Sequence, residues 1–214
     1  MTNDAERFED LTPDQPPVRG FLHRAGSPDA LVLTHSAGGN SNAPLLVAVA
    51  EEFVARGINV LRCDLPFRQR RPHGPPMRTA NEDQQGLRRA AELMRARFSG
   101  RVFMGGHSYG GRMASMFLAA DPAVADALLL LSYPLHPPKK PQQMRTQHFP
   151  DLGTPTMFVQ GTKDEFATIE EIDAARKLVA GKNELLVIEG AGHSLGPKFA
   201  ERVVEAFIGF VSRG

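Results

Sequence analysis

RVFMGGHSYGGRMASMFLAA, Arg101 to Ala120, is the stretch that decides the fold. It opens on a short apolar run, Val102–Gly105, and closes on an alanine- and methionine-rich segment, Tyr109–Ala120. The first reads as a buried strand and the second as a helix. Between them lies Gly106-x-Ser108-x-Gly110. In a chain with 20 glycines this pattern alone says little. Its strand–turn–helix setting says more, because that setting is what a nucleophile elbow requires. Such a turn is tight. Side chains two residues either side of the serine would crowd the neighbouring strand and helix. Ser108 is then expected in a strained backbone conformation, its hydroxyl standing above the sheet and the helix N-terminus beneath it.

Outward from this turn, short apolar runs alternate with amphipathic segments. The runs are Val18–Leu22, Leu31–His35, Asn59–Cys63, Ala127–Leu131, Thr156–Gln160 and Leu185–Ile188. Several are apolar at nearly every position, as strands buried on both faces are. Helices are expected over Pro44–Arg56, Glu82–Arg97, Thr168–Val179 and Pro197–Val211. Proline opens the first and Gly57 stops it. Thr168 with Glu171 makes a capping-box pattern. The alternation predicts an α/β fold, a mostly parallel twisted sheet with helices on both faces. Residues 1–17 are polar and acidic and read as a loose leader, with one domain over 18–214. Two proline-rich basic segments, Pro66–Asn81 and Tyr133–Pro155, resist assignment. Both directly follow a strand, where the ligand crevice of an open α/β sheet forms.

A serine hydroxyl needs a base, and the base needs an orienting acid. Both are present at expected strand ends. VQGTKDEF follows Thr156–Gln160 and offers Asp164, favoured over Glu165 because it directly follows the turn. EGAGHSL follows Leu185–Ile188 and offers His193. The order Ser108, Asp164, His193 is that of α/β-hydrolases.

With these residues in place, the chain from about Leu31 onward resembles the α/β-hydrolase superfamily, and within it the small dienelactone-hydrolase-like members. The resemblance rests on GGHSYGGRMAS, LSYPLHPPKKP, FVQGTKDEF and GAGHSL. The YPLHPP stretch also resembles a subgroup containing KANSL-type chromatin-complex subunits. The resemblance implies a nucleophile at Ser108, a general base and acid at His193 and an orienting carboxylate at Asp164. It implies an oxyanion hole from the N–H groups of Tyr109 and Ala37, with the Ser36 hydroxyl as a further donor. Dienelactone hydrolase itself uses cysteine where this chain has serine. The activity implied is cleavage of a carboxylic ester or related acyl bond in a small molecule, with no cofactor. A non-catalytic interaction module, an acyltransferase or a peptidase on the same fold are the alternatives.

The remaining polar residues have plainer readings. His107 is expected to be structural, and His35 to brace the oxyanion loop. Arg68, Arg70 and Arg71 could bind an anionic substrate or form a solvated loop; Lys139 and Lys140 share that ambiguity. His136 is a further substrate-binding candidate. Residues 133–155 can form only a minimal cap, which predicts a shallow or open site. Cys63 is expected to be a buried small hydrophobe, and a single cysteine excludes an internal disulfide. The histidines lack metal-ligand spacing, so no metal is expected. A formal net charge of +1 offers no whole-chain attraction to nucleic acid. The apolar runs are too short to span a bilayer, and the N-terminus lacks an apolar signal core, which predicts a cytoplasmic protein.

Overall fold

The computed structural model describes residues 5–77 and 80–213. Eight strands form one sheet: β1 (Glu6–Asp10), β2 (Val18–His23), β3 (Ala30–Thr34), β4 (Asn59–Asp64), β5 (Val102–His107), β6 (Ala127–Leu131), β7 (Thr156–Gly161) and β8 (Asn183–Ile188). Their order is β1-β2-β4-β3-β5-β6-β7-β8. From β4 to β8 all pairings are parallel, whereas β1 and β2 form an antiparallel edge. The central strands β3, β5, β6 and β7 are buried at every position, which is why they appear in the sequence as largely apolar runs.

Helices cover both faces. One face carries α3 (Ala80–Arg97), α4 (Tyr109–Ala120) and α5 (Ile169–Arg176), packed on a core that includes Val32, Met104, Leu130 and Phe158. The other carries α1 (Pro44–Ala55) and α6 (Ala200–Ser212), packed on Leu31, Leu33, Phe103 and Leu129. Successive residues of one strand thus supply opposite cores, as the two-residue period dictates. Phe207 of α6 meets Phe53 and Phe103 edge-on at 5.7 and 5.6 Å, locking that face. After β3 the chain steps to β4 on one side, then crosses back to β5 on the other. That reversal opens a crevice at the C-terminal ends of β3 and β5.

Three expectations need correction. Glu6–Asp10, placed in a loose leader, pairs with β2 as the edge strand β1, where Phe8 is buried against the sheet. Its alternation is too short and acidic to stand out; the strand exists because β2 leaves an edge open. Residues 1–4 of the expected leader lie outside the described residues. Within Pro66–Asn81, Pro66–Arg70 forms a short helix, α2, with proline at its start; residues 78–79 of that segment lie outside the described residues. The C-terminal segment begins with a 3₁₀ turn, Pro197–Phe199, before α6. The expected capping box is present: Thr168 Oγ1 accepts from Glu171 N at 3.2 Å, and Glu171 Oε2 accepts from Thr168 N at 2.8 Å. Among the described residues, no helix is long and apolar enough to cross a membrane.

Candidate active site

The turn between β5 and α4 has the strain its sequence implies. Ser108 has φ 51° and ψ −114°, a left-handed region that costs a non-glycine residue about 1–3 kcal/mol. The ladder holds it there: Ser108 N donates to Leu131 O at 2.8 Å and Arg112 N to Ser108 O at 2.9 Å. The glycines are steric necessities. A Cβ on Gly106 would lie 2.4 Å from Gly111 N, and one on Gly110 2.5 Å from His35 O.

His193, in the loop after β8, places Nε2 2.7 Å from Ser108 Oγ. Its Nδ1 lies 2.9 Å from Asp164 Oδ2 and 3.0 Å from Oδ1. A carboxylate can only accept here, so the ring proton sits on Nδ1 and Nε2 is left to accept from the serine hydroxyl. Asp164 follows β7, and its side chain is fully buried. It also accepts from Gln160 Nε2 at 2.8 Å and Phe166 N at 2.9 Å, which fixes the carboxylate plane. Glu165 points to solvent. Phe166 stacks on the His193 ring with centroids 4.0 Å apart, an element the sequence reading missed. The His107 ring sits beside it, donating from Nε2 to His193 O at 2.8 Å. Burial lowers the His107 pKa to about 4, so it holds the loop as a neutral ring.

A cavity of about 470 Å³ opens over Ser108 and His193. Ser36, Ala37 and Gly38 line one side, with Tyr109 beside the nucleophile. Pro134 and Arg145, from the segment after β6, line another side, joined by Arg112 of α4. The Ser36–Gly39 loop is braced from below. His35 Nε2 accepts from Leu65 N at 3.0 Å, so Nδ1 carries the proton and donates to Ser36 O at 2.8 Å. Burial first, opposed by the hydrogen bond to Ser36, lowers the His35 pKa and keeps the ring neutral. Tyr109 is anchored as well: its hydroxyl donates to Asp83 Oδ2 at 2.7 Å, and Phe67 N donates to Oδ1 at 3.0 Å. Asp83, buried on α3, was not singled out in the sequence, where it reads as one more charge on a charged helix.

Three substrate-binding candidates, Arg68, Arg71 and His136, do not line this cavity. Arg68 is buried and spends its guanidinium on the loop, donating to Ala37 O at 2.7 Å and Gly39 O at 2.8 Å. It is a loop brace, because those carbonyls turn inward and need donors. Arg71 is exposed, against Gly74, and does not line the cavity. His136 is buried with Nδ1 on Pro137 O at 2.9 Å and Nε2 near Glu171 Oε2 at 3.2 Å, tying residues 136–137 to α5. Ser36, by contrast, does line the cavity. The segment 133–155 is packed rather than loose. Tyr133, Leu135 and Phe149 are buried, and Tyr133 OH donates to Arg145 O at 2.7 Å.

The chain belongs to the alpha/beta hydrolase domain family, whose pattern matches residues 27–205. Solved structures share the whole architecture at low identity. An alpha-beta serine hydrolase homologue from Coxiella burnetii is 19% identical over 100% of this chain and 98% of its own, with a TM-score of 0.72. Est1E from Butyrivibrio proteoclasticus is 18% identical over 97% and 99%, with a TM-score of 0.75. Dienelactone hydrolase from Anabaena variabilis is 19% identical over 96% and 94%, with a TM-score of 0.76.

Proposed function

We propose that this chain is a serine hydrolase that cleaves a carboxylic ester or related acyl bond of a small molecule. The observation that carries the reading is the continuous Ser108–His193–Asp164 chain, with both contacts of His193 below 3 Å. Ser108 Oγ attacks the substrate carbonyl while His193 Nε2 takes its proton. Asp164 holds the ring tautomer and stabilises the imidazolium. The N–H groups of Tyr109 and Ala37 receive the developing oxyanion, which is why the Ser36–Gly39 loop and Tyr109 are braced so firmly. His193 then protonates the leaving alcohol, and the acyl group stays on Ser108. Water attacks that acyl-enzyme with His193 as base, releasing the acid and restoring the serine.

Intact-mass labelling with a fluorophosphonate tests this directly. Wild type should gain one adduct. Ser108→Ala should gain none, and His193→Ala should label far more slowly. Well-folded wild type that stays unlabelled would overturn the reading.

A further inference from the structure

Arg112 lies one turn along α4 from Ser108, and its side chain lines the cavity. Arg145 reaches the same cavity from the segment after β6. Both are half-buried. Among the described residues, no carboxylate lies within 4.0 Å of either guanidinium. Arg145 Nη1 donates to Pro134 O at 3.1 Å, which neutralises nothing. Arg112 Nε is buried without any hydrogen-bond partner. More exposed arginines do find acids: Arg19 pairs with Glu9, Arg101 with Asp29 and Arg213 with Glu184. No aspartate or glutamate lines the cavity among the described residues.

Two cations held together, short of water and without a counter-ion, repel one another and forgo their hydration. In keeping with this, burial, then the charge of Arg112, lowers the Arg145 pKa. An oxyanion arriving in the cavity would offset the repulsion between the two guanidinium groups. The planar guanidinium fork matches a carboxylate or phosphate. Arg112 stands one turn from the nucleophile, so an anionic group on the substrate itself can reach it while the carbonyl sits at Ser108.

We propose that Arg112 and Arg145 form an anion subsite, so that the preferred substrate is an ester carrying its own carboxylate or phosphate group. This rests on the hydrolase reading above. The test compares kcat/KM for p-nitrophenyl esters of one chain length ending in a carboxylate (the adipate half-ester), a phosphonate or a neutral methyl ester. At least one anionic ester should be preferred by about tenfold or more, the scale of a charge-assisted pair. The stronger of the two anionic arms identifies the natural group. That preference should largely vanish in Arg112→Gln and in Arg145→Gln, persist in Arg202→Gln, which does not line the cavity, and weaken at high salt. Equal turnover of all three esters, by wild type whose Ser108 still takes the fluorophosphonate, would overturn the subsite and leave the hydrolase reading intact. An unlabelled Ser108 would overturn the hydrolase reading instead. Calorimetry of monomethyl adipate and methyl phosphonate on Ser108→Ala then decides the subsite: binding lost in Arg112→Gln upholds it, and no binding overturns it.

Discussion

Arg68→Met separates a loop brace from a substrate contact. The Arg68 guanidinium donates to Ala37 O at 2.7 Å, Gly39 O at 2.8 Å, and Arg71 O and Gly74 O at 3.1 Å each. A hydrogen bond from a charged donor contributes about 1.5–3 kcal/mol net. Arg71 and Gly74 are exposed, so water replaces the bonds to their carbonyls. The carbonyls of Ala37 and Gly39 are less accessible and lose their donor. Methionine also removes the cost of keeping a guanidinium from water, which offsets part of the loss. The net destabilisation should be about 3 kcal/mol, or roughly 6–12 °C in melting temperature for a domain of this size. Thermal unfolding and urea titration measure it. Arg68→Lys should fall between, since an ammonium keeps the charge but cannot span these carbonyls. Loosening Ala37 displaces one proposed oxyanion donor, so kcat for any ester turned over should fall more than KM rises. An Arg68→Met protein that melts with wild type and loses only substrate affinity would refute the reasoning and restore Arg68 as a substrate contact.

Further outcomes follow from the same geometry. Asp164→Asn should lower the rate of Ser108 acylation by about 10⁴-fold, the scale seen when the triad acid loses its charge, whereas Glu165→Gln should leave it near wild type; stopped-flow labelling compares them. Gly106→Ala puts a Cβ 2.4 Å from Gly111 N, between backbone segments that cannot move aside; urea titration should show a loss of about 3 kcal/mol or more. Burial holds His107 at a pKa of about 4 against an ordinary 6.5. Between those pH values the unfolded chain binds the extra proton, so stability is full above 6.5 and falls as pH drops toward 4. The urea midpoint should therefore decline from pH 7 to pH 5, and His107→Gln should flatten that decline; an equal slope in both proteins would exclude His107 as its source.

The sequence by itself determined what depends on local pattern. Short apolar runs such as Ala127–Leu131, set between amphipathic segments, read as strands buried on both faces, and Thr168 with Glu171 marks a helix start. Gly106 and Gly110 around Ser108 betray a turn too tight for side chains. The order of Ser108, Asp164 and His193 at strand ends places them on one rim, because parallel strands share a direction. Tertiary structure decided the direction of long polar side chains. Nothing near Arg68 in sequence shows that its partners are carbonyls 29 and 31 residues away. Nothing near Arg112 shows that it lacks an acid, although it stands inside the motif that led to Ser108. Edge strand β1 was hidden for a related reason: only a neighbour with open hydrogen-bonding groups makes Glu6–Asp10 a strand. A flexible arginine is placed by whichever distant acceptors the fold brings within reach, and local propensity carries no record of them.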